Sequence, residues 1–181
     1  MKRQPTRNLL HLILLTVLCF LTACNGSTEA SYDLNWTPQP VNVLVDLQDK
    51  QGNDLLNART QGNILGQDIS MVFNNVAYEL LDSKTDTLSA QTLALRLKQN
   101  TQTGRYYMSF GPFEAQENVQ LREMTLRLPQ EKEVRLGYSH SFAFTSEAPI
   151  QQTLFFYEGH QIPVADIIHL YVYDNGVINI F

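Results

Sequence analysis

Cysteine is nearly absent from this chain: Cys19 and Cys24 are the only two, and both lie in the first 24 of 181 residues. Everything after them must hold its fold without a disulfide. Cations are also scarce, 13 Lys and Arg against 18 Asp and Glu, for a formal net charge of −5. A chain of that sign lacks the surplus positive charge that neutralises a nucleic-acid backbone or an anionic lipid surface, so nucleic acid is excluded as a partner. The longest apolar run, Leu9 to Leu21 broken by His11 and Thr16, falls short of the roughly 20 residues a permanent membrane-spanning helix needs. Walker loops, Gly-x-Gly-x-x-Gly patterns and His-Glu-x-x-His helices do not occur. Beyond residue 24 the histidines are His140, His160 and His169, with no pair at metal-ligand spacing. The sequence therefore names no catalytic residue, no cofactor and no metal site.

An export signal is what the first residues supply. Met1 to Arg7 carries Lys2, Arg3 and Arg7 and no acid, and the apolar run follows directly, the order of a secretory leader. The run closes on Leu21-Thr22-Ala23-Cys24, which resembles the lipobox of bacterial lipoproteins: a branched residue, two small ones and a cysteine whose thiol takes the lipid. Residues 1–23 are read as the signal peptide and Cys24 as the lipidated first residue of the mature chain, which makes the membrane a partner through an N-terminal anchor. Two or more acyl chains hold a protein at a membrane stably where one does not. Residue 25 is Asn; in enteric lipoproteins an Asp there marks retention in the inner membrane, so the resemblance implies the outer membrane. Loss of the leader takes Lys2, Arg3 and Arg7 with it and lowers the net charge from −5 to −8.

Residues 24–40 read as a lipidated tether. Asn25 to Ser31 is small and polar, Pro38 and Pro40 bracket Gln39, and such a stretch has little to bury. Residues 41–181 read as one domain. From Val41 onward the dominant period is two, the mark of strands with one buried face. Val41, Val43, Val45 and Leu47 alternate with Asn42, Leu44 and Asp46, and Leu93, Leu95 and Leu97 alternate with Thr92, Ala94, Arg96 and Lys98. The longest alternation sets Val134, Leu136, Tyr138, His140, Phe142 and Phe144 on one side, an arrangement that a helix would scatter around its circumference. Further strands are predicted at 69–73, 106–110, 152–157 and 168–173, with Asn175-Gly176 as a type I′ hairpin signal before the last strand. Two stretches resist: 117–128 slips phase between Leu121 and Met124 and also suits a short helix, and 163–168 suits one helical turn. The predicted fold is all-β, an antiparallel β-sandwich of immunoglobulin-like or transthyretin-like type.

The segment Val41 to Asn57, with its Asp49-x-x-Gly52-Asn53-x-Leu55-Leu56 turn, then the strand at Ile69 and the Tyr78-Glu79-Leu80 ending, resembles small lipoproteins of Bacteroidota. The likeness covers about a third of the mature chain and implies location and fold class. That family has no assigned activity, so no functional residue follows from it.

Three features remain as candidate chemistry. Asp46, Asp49 and Asp54 around Gly52 suggest a calcium loop, but the spacing departs from Asp-x-Asp-x-Asp-Gly and no Glu closes it, so a solvated hairpin turn is the better reading. Gly137-Tyr138-Ser139-His140-Ser141 lacks the second glycine of a nucleophile elbow, and a strand puts Ser139 and His140 on opposite faces, with His140 among the apolar set. Aromatics are the third: Trp36, Tyr106, Tyr107, Tyr157, Tyr171 and Tyr173 offer rings that pack in a core or anchor a ligand. Alternation puts Tyr106 with Met108 and Phe110 in the core and Tyr107 on the other face. Tyr107, Tyr171 and Tyr173 are thus the candidate ligand-facing aromatics. The expectation is a non-enzymatic binding or structural module of the cell envelope, with a glycan- or peptide-binding accessory of a surface uptake system as the alternative and a hydrolase behind both. A glycan or an envelope protein is the candidate partner.

Overall fold

The alternation that begins at Val41 becomes eleven strands in the computed structural model, which describes residues 37–82, 84–115, 118–144, 149–163, 167–172 and 178–180, with 144 and 178–180 by backbone alone. These are β1 (Val41–Asp49), β2 (Ser70–Phe73), β3 (Val76–Leu81), β4 (Ala94–Gln99), β5 (Tyr106–Phe113), β6 (Val119–Leu128), β7 (Lys132–Phe144), β8 (Pro149–Tyr157), β9 (His160–Gln161), β10 (Ile168–Val172) and β11 (Ile178–Ile180). No helix occurs among the described residues. Cys24 and Tyr173 lie outside them, as do the Asn175-Gly176 turn and the middle of the 163–168 stretch, although β10 and β11 pair antiparallel on either side of that turn.

Hydrogen bonds join all eleven strands into one sheet in the order β11-β10-β1-β5-β4-β3-β2-β6-β7-β8-β9. The protein is all-β, as its periodicity predicts. The ladder is mixed where a purely antiparallel one was expected, because β1 runs parallel to β10 and β3 parallel to β4. Parallel neighbours need a crossover of a dozen or more residues; segment 82–93 supplies one, and the strands from β2 to β9 supply the other.

Ring contacts show how the single sheet makes a core. Phe113 on β5 and Tyr138 on β7 stand five places apart in strand order, about 24 Å in a flat sheet. Their ring centroids are 4.9 Å apart. Phe73 on β2, three places from β5, meets Phe110 at 6.1 Å and Phe113 at 5.4 Å. The sheet is therefore curled into a half-barrel, and its inner face buries Val43, Leu47, Met71, Phe110, Leu126 and Leu136 among others. Each such large side chain contributes about 1.5–3 kcal/mol by leaving water. Across the curl, the Gln39 N–H donates to Gln151 Oε1 at 3.0 Å and Gln151 Nε2 donates back to the Gln39 carbonyl at 2.9 Å, tying the lead into β1 to β8.

Two irregularities interrupt the pattern. The stretch 117–128, expected to slip between Leu121 and Met124, runs in regular register from Arg122 to Leu128 and shifts earlier, between Val119 and Arg122 against β7, so the part that also suited a helix is a bulged strand. In β5, Gly111 and the cis-linked Pro112 accompany a shift against β1 between Val41 and Val43. A Cβ at Gly111 would lie 2.4 Å from Asn42 Oδ1 and 3.0 Å from the Val41 carbonyl oxygen, so glycine lets the two backbones approach there.

Candidate binding face

The register of the central strands sorts their side chains. Val45 and Leu47 point inward, while Leu44, Asp46 and Gln48 take the outer face. Asp46 pairs with His169 and Gln48 with Tyr171 on β10, and Leu44 pairs with Ser109 on β5. Alternation from Ser109 then puts Tyr107 on the same outer face, and Arg105 immediately precedes β5. Lys98 of β4 lies beside Tyr107. Tyr107 and Tyr171, candidates by alternation alone, are thereby brought to one face, both half-buried, on the two strands that flank β1.

Between them runs a hydrogen-bonded chain. His169 Nδ1 lies 2.8 Å from Asp46 Oδ1, and Gln48 Nε2 donates to Asp46 Oδ2 at 3.1 Å. Asp46 keeps 7% of its side-chain surface and His169 keeps 41%. The carboxylate is thus satisfied on both oxygens beneath an imidazole that reaches solvent, as a buried acid must be. Composition did not single out Asp46, Gln48 or His169 as a set. Asp46 and Gln48 share a face by simple alternation, but β10 reaches β1 only through a parallel pairing across most of the chain.

Arg105 stands at the edge of this face with its hydrogen-bonding capacity largely unused. Its Nη2 donates to the Gly52 carbonyl at 3.4 Å, and its Nε is shielded from water without a partner among the described residues. Tyr107 likewise makes no side-chain hydrogen bond among the described residues.

The three carboxylates around Gly52 diverge. Asp46 serves His169. Asp49 closes its own turn: burial pushes its carboxyl up, but donation from the Asn53 side chain and from the N–H groups of Asn53, Gln51 and Gly52 outweighs this and holds it below the usual carboxylate range. Asp54 accepts the Leu56 N–H at 2.9 Å and the Tyr106 N–H at 2.8 Å, stapling the turn to β5. Gly52 adopts φ 80°, which glycine takes at little cost.

On β7, His140 is buried among apolar neighbours, 2% exposed, with Nδ1 2.9 Å from Thr153 Oγ1 and its ring edge-on to Phe142 at 4.6 Å. Its Nε2 has no partner among the described residues, and burial pushes the imidazole's pKa down. Ser139 is only half-buried, on the opposite face. His160 is exposed on β9, far along the strand order from His169 on β10. Among the described residues no group of three His, Cys, Asp or Glu converges as metal ligands would. Tyr106 and Tyr157 pack against the core.

Two hollows lie elsewhere. A groove of about 650 Å³ runs between 66–70 and the β6–β7 turn, lined by Asp68, Arg127, Lys132 and Glu133, and no aromatic ring borders it. A smaller hollow of about 340 Å³ is walled by Pro38, Pro40, Pro112 and Phe113 where the chain leads into β1. Neither combines rings with unsatisfied donors as the outer face of β10, β1 and β5 does. Comparison with protein-family models, with curated proteins and with solved structures returns no match to this chain.

Proposed function

We propose that this protein is a lipid-anchored, non-enzymatic binding module of the bacterial cell envelope, held at the outer membrane through acylated Cys24, with the outer face of β10, β1 and β5 as its binding surface. One observation carries the binding half of this reading: Tyr107 and Tyr171 sit on one face around the Gln48–Asp46–His169 chain. Half-buried tyrosines beside fixed donors and acceptors offer apolar area and directional bonds together. The anchoring half rests on the basic leader, the apolar run and Leu21-Thr22-Ala23-Cys24, and the likeness of 41–80 to Bacteroidota lipoproteins agrees with it. The curl supports a sandwich-like reading of the fold, since β5 and β7 face one another across a single core. An accessory role in glycan or peptide uptake is favoured over a purely structural one by the tyrosine pair.

Anchoring is tested by growth with labelled palmitate: label is expected on the wild-type protein and absent from Cys24→Ser, which should also keep its leader. A wild-type protein free of label overturns it. Binding is tested by a screen of envelope glycans and envelope proteins against the full chain in detergent. Saturable binding lost in Tyr107→Ala is expected, and binding indifferent to Tyr107 removes this face from the reading.

A further inference from the structure

We propose that the outer face of β10, β1 and β5 binds an acidic saccharide, a chain of sugars bearing carboxylates, with a sugar ring on Tyr107 and a carboxylate on Arg105. This rests on the reading of that face as the binding surface and names the chemistry it takes.

Arg59 and Arg122 are exposed and also lack a carboxylate partner among the described residues; the remaining described arginines make the case by contrast. Arg96 uses Nε, Nη1 and Nη2 on Asp86 and on the carbonyls of Thr92, Gly111 and Ser89. Arg127 pairs with Glu133 and Arg135 with Glu158. Arg105 is half-buried with one long bond to a carbonyl, a shielded Nε that donates to nothing described, and no carboxylate partner among the described residues. A guanidinium has five donors in a rigid fork that matches a carboxylate, and leaving a shielded donor unmade costs stability. In a chain with more acids than bases, an unneutralised half-buried Arg is the group to which an external carboxylate fits.

Its neighbours extend the match. Tyr107, inside β5, lies two residues after Arg105, which immediately precedes the strand, so the two are at most about 7 Å apart along the chain, which suits a sugar ring next to a charged substituent. Lys98 pairs with Tyr107 from β4 and is exposed, adding a second cation on the far side of the ring. Asp46, the acid that would repel an anion, is 7% exposed and already held by His169 and Gln48. The hydroxyl of Tyr107, without a protein partner among the described residues, is left for a sugar hydroxyl.

Calorimetric titration of the full chain in detergent tests this, with pentameric galacturonate as the acidic probe, the matching neutral galactose pentamer as its control and poly-aspartate as a charge control. Saturable binding of the galacturonate at 0.15 M salt is expected, at least tenfold tighter than the neutral sugar. Arg105→Gln should lower galacturonate affinity at least tenfold and erase the preference for acid. Tyr107→Ala should weaken both sugars, and Lys98→Gln should cost about threefold. Thermal midpoints of the variants confirm that they are folded. Equal binding of the neutral sugar, still lost in Tyr107→Ala, overturns the acidic specificity and leaves the face as a binding surface. Poly-aspartate binding as tight as galacturonate, or galacturonate binding unchanged by Arg105→Gln, overturns the proposal. So does no binding of either sugar, in which case the wider envelope screen decides separately whether the face binds anything.

Discussion

The two halves of the curled sheet treat their polar side chains in opposite ways. On β7 the inward residues Val134, Leu136, Tyr138 and His140 are buried while Arg135, Ser141 and Ala143 are exposed, the ordinary pattern of a sheet with one wet face. On β1 and β4 polar residues of the outer face are buried as well: Asp46, Gln48 and Arg96. A loop explains β4, because 82–92 folds over its outer face and is pinned there by Arg96. The difference teaches that period-two alternation reports which residues point inward and is silent on whether the other face meets water. Buried polar residues must satisfy one another, as the Gln48–Asp46–His169 and Arg96–Asp86 networks do.

The sharpest way to break this contrast is to remove one arginine from each half. Arg96 keeps 7% of its side-chain surface and Asp86 keeps 18%, whereas Arg135 and Glu158 keep 65% and 38%. Arg96→Ala removes four hydrogen bonds and leaves buried carbonyls unpaired, so denaturant unfolding should show a loss of about 2–3 kcal/mol. Arg135→Ala should cost less than about 1 kcal/mol and be weakened further by salt. Equal losses would mean that the loop 82–92 does not cover β4 in solution.

The glycines give the next largest difference. At Gly111 a methyl group meets Asn42 Oδ1 at 2.4 Å and a backbone oxygen at 3.0 Å, and at Gly137 it meets the Leu121 Cδ1 at 2.9 Å and the Arg122 carbonyl oxygen at 3.1 Å. Leu121 is exposed and can swing away. Gly111→Ala is expected to cost about 2 kcal/mol and Gly137→Ala about 1 kcal/mol, within the range for overpacking, read from urea midpoints. A Gly111→Ala protein as stable as wild type would show that β1 and β5 do not approach so closely.

How much was legible before the structure follows the same division. The strand positions on β1, β5, β7 and β8 were readable because Val, Leu and Phe recur every second residue, whereas the bulge in β6 falls earlier than the slip between Leu121 and Met124. Burial of Ala94 and Arg96 was not readable, since the covering loop is held by contacts to residues four to ten positions before Arg96 that alternation does not report. Nor was the mixed ladder: nothing local in Ile168 to Val172 says that it lies parallel to β1. The candidate face was half legible. Tyr107 and Tyr171 followed from alternation, but their meeting around Asp46 and His169 depends on that parallel pairing, and Arg105 carried no sequence signal beyond being a cation in an acidic chain.

On β7 the buried His140 supplies a test by pH. Burial pushes its pKa below the ordinary 6.5, so the folded state holds the ring neutral where the unfolded chain would already be protonated. As pH falls below about 6.5 the unfolded state takes up a proton that the folded state refuses, and stability falls with a slope of at most about 1.4 kcal/mol per pH unit from this group. Above that pH the contribution is fully present. Urea midpoints between pH 7.5 and 5 should drop more steeply for wild type than for His140→Leu, and parallel curves would show that His140 is not held neutral.

The smallest effect is expected where function is proposed. Tyr107 is half-buried on the outer face and its hydroxyl makes no bond among the described residues. Removing that hydroxyl takes nothing from the fold, so Tyr107→Phe should leave the urea midpoint within about 0.5 kcal/mol of wild type, as surface changes away from caps and cores do. A ring whose hydroxyl helped to hold the fold would behave differently, because its oxygen would meet a protein donor or acceptor. A loss above about 1.5 kcal/mol in Tyr107→Phe would expose such a partner and turn Tyr107 from a residue offered to a ligand into one that holds β5 in place.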